Sequence, residues 1–104
     1  MMGQAENPWS TLHDATLLKV IVDWKGGDAT LVFAVGSAAD VVKVVANAFV
    51  ALEVPRYEPW GPSVSVNRIS GPLVTQDDRH RIELEMQSGD VLALEASRIR
   101  LRGA

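Results

Sequence analysis

The chain has no cysteine among its 104 residues. Disulfides, thiolate metal sites and a cysteine nucleophile are therefore excluded. Small secreted domains often rely on disulfides, so this absence favours a cytoplasmic location. Positive charge is not in excess: ten Lys and Arg stand against thirteen Asp and Glu, a net charge of −3. That argues against a nucleic-acid binder, which needs a basic face for phosphate contacts. No apolar run approaches the ~20 residues of a membrane span. Met1-Met2-Gly3-Gln4-Ala5-Glu6 lacks the basic start and apolar region of a signal peptide. The phosphate-loop patterns G-x-x-x-x-G-K-[ST] and G-x-G-x-x-G are missing, and so is the G-x-S-x-G nucleophile elbow. The expectation is a protein with no cofactor, no metal, no catalytic residues, and neither nucleic acid nor membrane as partner.

What remains is an ordinary globular composition, 47% apolar and 22% charged, enough for one domain over residues 1–104 with one core. Aromatics are few, at 6%. Three of the five prolines fall in Pro55-Arg56-Tyr57-Glu58-Pro59-Trp60-Gly61-Pro62. Proline lacks an N–H and holds φ near −65°, so no regular element runs through this stretch. It reads as a stiff crossover over 55–62. Residues 1–11 read as a lead-in, with Trp9 folding back on the domain edge.

On each side of the crossover the apolar residues alternate, as in strands. From Thr16 to Trp24 the even positions Leu18, Val20, Val22 and Trp24 are apolar, which predicts a core face. Gly26-Gly27 predicts a two-residue hairpin loop. That loop would set Lys25 opposite Asp28, Val22 opposite Leu31, Val20 opposite Phe33 and Leu18 opposite Val35. Ile21 and Val32 would then pair on the opposite face. Residues 41–54 fit two patterns. Val41, Val45, Ala48, Phe49 and Leu52 fit a helix stripe, with Ser37 as a cap. The abundance of valine favours a strand instead, bent or bulged near Ala46-Asn47-Ala48. Ser63–Ile69 fits a short strand or one helical turn. Ser70-Gly71-Pro72 is a break, and Leu73-Val74-Thr75 is a further short strand.

The final segment alternates most regularly. Ile82, Leu84 and Met86 point one way, and Leu92, Leu94 and Ala96 continue that face. A loop at Gln87-Ser88-Gly89, with Gly89 left-handed, sets Leu84 opposite Leu92, Ile82 opposite Leu94 and Arg81 opposite Glu95. After Ala96 the phase slips, which predicts a bulge near Ser97-Arg98. Arg98, Arg100 and Arg102 then point outward, as suits an edge strand. The same stripe could contact an anion or an acidic partner. Strand follows strand without helical crossovers. The predicted fold is all-β: a single-domain antiparallel sandwich or half-open barrel of about six strands, with at most one short helical segment.

Few residues suggest chemistry. His13-Asp14 could do acid–base work only if the backbone turns between them, since neighbours on a strand face opposite ways. The plainer account is a turn tied down by Thr11 or Asp14. His80 could join His13 with Asp14, Asp77 or Asp78 at a metal, but no close ligand spacing supports this. It reads more simply as an inward or rim residue at the start of a strand. Tyr57 and Trp60, flanked by Arg56 and Glu58, are the residue types enriched at binding surfaces. Trp60 could equally serve as a lid on one end of the core. The candidate binding residues are therefore Tyr57, Trp60, Arg56, Glu58, His13 and Asp14.

Leu12-His13-Asp14-Ala15-Thr16-Leu17, running to Ile21-Val22-Asp23-Trp24, resembles a family of small uncharacterised bacterial proteins. Glu58-Pro59-Trp60-Gly61-Pro62-Ser63, Val66-Asn67 and Gln87-Ser88-Gly89-Asp90 carry the same resemblance. The layout is also similar to small all-β immunity proteins of bacterial toxin systems. These likenesses imply a bacterial protein, and they assign no established activity and no functional residue; the role expected of the chain is a non-enzymatic protein-interaction module. Homodimerisation or a protein partner is expected, because Ile21, Val32 and the doubly apolar 41–54 run need a cover. The alternative is a small-molecule-binding barrel with Trp24, Tyr57 or Trp60 at its mouth. A hydrolase or metal enzyme using His13, Asp14 and His80 is the least favoured reading.

Overall fold

The computed structural model describes residues 8–56 and 65–103. The strands are β1 (Thr16–Asp23), β2 (Asp28–Val35), β3 (Asp40–Glu53), β4 (Val66–Val74), β5 (His80–Met86) and β6 (Val91–Gly103). They form one six-stranded sheet in the order β1-β2-β3-β6-β5-β4, with every neighbour antiparallel. Among the described residues the only helical piece is a 3-10 turn, Pro8–Leu12. No helix among them is long and apolar enough to cross a membrane.

The sheet is open but curled, and its two edge strands touch at one end. Thr16 and Ser65 form an isolated bridge. The Asp14 N–H donates to the Val66 carbonyl at 2.8 Å, and the Val66 N–H donates to the Ala15 carbonyl at 2.9 Å. This is the half-open arrangement expected of about six strands. Its inner face holds Phe33, Leu12, Leu31, Ile82, Leu84, Leu94, Val44 and Val66, all fully buried. Burying each is worth about 1.5–3 kcal/mol. Trp9, in the expected lead-in, packs against this cluster, and Leu12, just after the lead-in, is inside it.

Residues 40–53 are strand, not helix, and the strand bends where expected: Ala48 has φ +54°. A further irregularity lies between Phe49 and Ala51. Opposite this bend β6 changes phase. Ala96 is buried, Ser97 and Arg98 are exposed, and Ile99 and Leu101 pack on the core. The two strands turn over together, so β3 gains no residue on β6 between Asn47–Arg98 and Phe49–Ala96. The break at Ser70-Gly71-Pro72 is an irregularity within one strand, β4, whose pairing shifts between Ser70 and Leu73.

The C-terminal hairpin has the expected register: Leu84 opposite Leu92, Ile82 opposite Leu94, Arg81 opposite Glu95. Gly89, at φ +99°, donates its N–H to the Met86 carbonyl at 2.8 Å. The N-terminal hairpin does not. Its loop is Trp24-Lys25-Gly26-Gly27, with Asp23 opposite Asp28 and Val20 opposite Leu31. The Asp23 carboxylate accepts the Gly26 N–H at 3.0 Å, and the Asp23 carbonyl accepts the Gly27 N–H at 2.8 Å. Those bonds close the turn two residues earlier than a Gly26-Gly27 loop would. A bulge between Leu17 and Lys19 then turns Leu17 inward and leaves Leu18 53% exposed. Of the four residues expected on the core face, only Val20 packs there; Leu18, Val22 and Trp24 are exposed. Val32 pairs with Lys19 rather than Ile21 and is buried, while Ile21 remains exposed.

Candidate functional site

Of the candidate binding residues, His13, Asp14 and Arg56 lie among the described residues. The backbone turns at Asp14, with φ +66°. This brings His13 Nδ1 to 3.2 Å from Asp14 Oδ2, the contact that a regular strand would forbid. Gln87 Nε2 also donates to Asp14 Oδ1, at 3.5 Å. Both His13 and Asp14 are exposed, and solvent weakens such pairs. Thr11 Oγ1 donates to the Pro8 carbonyl at 2.9 Å, so Thr11 ties down the preceding turn.

His80 opens β5, half-buried, with Nδ1 at 3.1 Å from the Ser97 carbonyl. A carbonyl only accepts, so Nδ1 carries the hydrogen in this contact. Asp77 pairs with Arg79 at 3.3 Å, and Thr75 Oγ1 accepts the N–H groups of Asp77 and Arg79. These are turn-forming contacts. Among the described residues no three His, Asp or Glu side chains gather where a metal could be held. Arg56 is exposed. Tyr57, Glu58 and Trp60, and with them the lid expected of Trp60, lie outside the described residues.

Polar clusters on the outer face link the described strands. Arg81 bonds Glu83 Oε2 at 3.0 Å and Glu95 Oε1 at 3.2 Å. Its pKa is raised, chiefly by the hydrogen bond to Glu83, with Glu95 adding to it and desolvation opposing. Across β2, β3 and β6, Asn47 Nδ2 donates to Asp28 Oδ1 at 3.1 Å while Asn47 Oδ1 accepts from Arg100 at 3.3 Å. Both clusters fasten strands to one another.

The most distinctive surface lies where β3 outruns β2. Their ladder ends at Asp28 opposite Asn47, because β2 has eight residues and β3 fourteen. The Phe49 N–H still reaches the Gly27 carbonyl at 2.9 Å. Beyond it β3 continues to Glu53 with β6 on one side and no described strand on the other. Trp24, displaced from the core by the four-residue turn, stands beside this edge, 82% exposed. It meets Phe49 edge-on, with ring centroids 6.0 Å apart and an interplanar angle of 67°. Val22, at 43% exposure, and Val50, at 52%, extend the apolar surface. Together with Ala51 and Leu52 they line an open groove of about 670 Å³. Glu53, at its end, is the one ionisable residue lining it among the described residues. Such a groove offers apolar contact and a strand edge, and among the described residues no acid–base pair lines it.

One signal in the sequence bears on it. Phe49-Val50-Ala51-Leu52 is apolar on both faces, which one layer of core cannot cover. Trp24 itself was predicted inward. Among the described residues, the interior between Leu31, Ile82, Leu84 and Leu94 has no room for a water molecule. Comparison with known protein families, with curated proteins and with solved structures finds no match to this chain.

Proposed function

We propose that the protein is a non-enzymatic protein-interaction module of the bacterial cytoplasm, and that it pairs with a second copy of itself along the β3 edge. The observation that carries this reading is Trp24, a large aromatic at 82% exposure beside an apolar strand edge. Tryptophan is enriched among residues that dominate binding energy, and contiguous apolar surface is a mark of interaction sites. The edge suits its own kind. Antiparallel pairing about Ala51 sets Val50 against Leu52 and keeps Glu53 at the two ends, so no like charges lie directly opposite. The likeness to all-β bacterial immunity proteins supports an interaction role in general.

Size-exclusion chromatography with light scattering tests this. The expected result is a concentration-dependent dimer that Trp24→Ala or Val50→Lys converts to monomer. A wild-type chain that stays monomeric at high concentration overturns self-pairing. A second reading, an apolar small molecule in the same groove, is favoured by its volume of about 670 Å³. Ligand pockets run to about 300–1,000 Å³. It predicts ligand-dependent fluorescence of Trp24 without any change in mass.

A further inference from the structure

We propose that the other free edge, Arg98–Gly103 of β6, takes an extended acidic segment of a different protein as an added strand. β5 accompanies β6 only to His80 opposite Ala96. There the His80 ring takes the Ser97 carbonyl at 3.1 Å, and past it β6 is paired with β3 alone among the described residues. This pairing runs from Arg98 opposite Asn47 to Gly103 opposite Val42 without a register shift. The outer strands are blunted by contrast. β1 carries its bulge between Leu17 and Lys19, and β4 carries two shifts. Bulges of this kind stop an edge from templating a new strand.

The side chains on the regular edge are of one sign. Ile99 and Leu101 pack on the core, while Arg98, Arg100 and Arg102 are exposed on the outer face. Arg102 lies opposite Lys43, which lies opposite Val32, which lies opposite Lys19. Three cations thus share one row across the sheet, on a chain whose net charge is −3. Beside them Ile21, Val41 and Val45 line an open groove of about 540 Å³, with Lys43 and Arg102 also lining it.

The charge decides the occupant. A second copy pairing antiparallel about Arg100 would set Arg100 against Arg100 and Arg98 against Arg102, and like charges directly opposite are destabilising. The outer strands of a second copy offer no alternating carboxylates either: β1 presents Lys19, Ile21 and a single carboxylate, Asp23, and β4 presents Asn67 and Arg68. Nucleic acid would gain from the arginines but has no N–H and C=O ladder for the strand edge. An extended peptide with carboxylates at alternate positions satisfies both. Its main chain continues the sheet, its acids face the arginines, and its intervening apolar residues lie beside Ile99 and Leu101.

The probe is a capped peptide, Thr-Glu-Val-Glu-Val-Glu-Val-Thr, against a block isomer (Glu-Glu-Glu followed by Val-Val-Val) and a Lys-for-Glu version. Binding is followed by amide shifts and amide exchange on the full chain. The alternating acidic peptide is expected to bind, to shift the amides of 98–103 and to slow exchange at those facing the edge. Arg98→Glu with Arg102→Glu should weaken it at least about tenfold with an unchanged melting curve. Arg100 is kept because it bonds Asn47. Should the double variant fold poorly, Lys43→Glu on β3 should still weaken binding about threefold or more. Three results would overturn the proposal: equal binding of the block isomer, unchanged binding by the charge-reversed variants, or displacement by lower concentrations of a single-stranded oligonucleotide or phosphatidylserine vesicles.

Discussion

Two of the local hairpins, β1–β2 and β5–β6, invite comparison, because each joins two strands by a glycine-containing turn and each lines the same core. In β5–β6 the turn is short, Gly89 supplies the left-handed residue, and the apolar positions of both strands meet face to face. In β1–β2 an aspartate intervenes. Asp23 accepts the Gly26 N–H, Gly27 takes the left-handed place at φ +77°, and the turn swallows Trp24. One hairpin therefore buries its apolar residues, and the other spends Val22 and Trp24 on the surface. The difference shows that turn chemistry, a matter of one carboxylate, decides whether apolar residues become core or contact surface.

That contrast can be tested by substitution, with urea unfolding as the readout. Leu84→Ala removes a fully buried side chain opposite Leu92 and should cost about 2–5 kcal/mol. Val22→Ala, on the hairpin that faces outward, should cost less than about 1 kcal/mol. Equal losses would mean that β1 is packed as tightly as β5. Next come the two glycines. A Cβ on Gly27 would meet only the Ala48 Cα at 3.8 Å, and one on Gly89 would meet nothing within 4 Å. Both substitutions to alanine then carry backbone strain alone, about 1 kcal/mol each. A much larger loss at Gly27 would show that the four-residue turn is held rigidly by β3.

Asp23→Ala should cost about 1 kcal/mol, by removing the carboxylate that closes the turn. Its sharper effect is expected in the amide shifts of residues 24–27. An unchanged turn would mean that Gly27 alone sets the register. Smallest is Arg81→Met in the well-registered hairpin. Arg81 is more than a third exposed, so its bonds to Glu83 and Glu95 are screened and the loss should stay below about 1 kcal/mol. Because the Arg81 pKa is raised, its contribution is complete below the ordinary, already strongly basic, arginine value and is lost only as pH rises through the still higher folded value. Arg81 ionisation therefore adds no slope to stability around neutral pH, which a pH series on wild type and variant would check.

How much could be read from the chain follows the same division. The β5–β6 register was legible because alternation, loop length and glycine placement all agree there. The strand nature of 40–53 and its bend were legible from valine content and from the small residues around Ala48. The β1–β2 register was not, because Gly26-Gly27 suggested a two-residue loop and nothing in alternation alone reports that Asp23 caps a longer one. The shift by two residues preserved the alternation and left no clash to warn of it. The bulge after Leu17 then exchanged Leu18 for Leu17 on the core face. The candidate surface was hidden for a related reason. Its aromatic, Trp24, reads as core in period two, and the edge arises only because β3 is longer than its neighbour. His13 and Asp14 were correctly suspected of needing a turn to meet, and the left-handed Asp14 provides it.

The shared bend of β3 and β6 has a kinetic consequence. Both end hairpins join residues close in sequence, so each can form early, on the time scale of local closure. Neither completes the core. The sheet is joined only when β3 finds β6, setting Val42 opposite Gly103 and Glu53 opposite Ala93, partners drawn from distant parts of the chain. The closure entropy of that encounter must be met before most of the buried area is gained. The rate-limiting step of folding is thus expected to be the docking of two preformed three-stranded units, β1–β2–β3 and β4–β5–β6, along one long ribbon. Folding should take milliseconds to seconds, as in other β proteins dominated by distant contacts. Substitutions in the ribbon, at Val44 or Ala46, should slow folding, while those at the tip of either hairpin should mainly hasten unfolding.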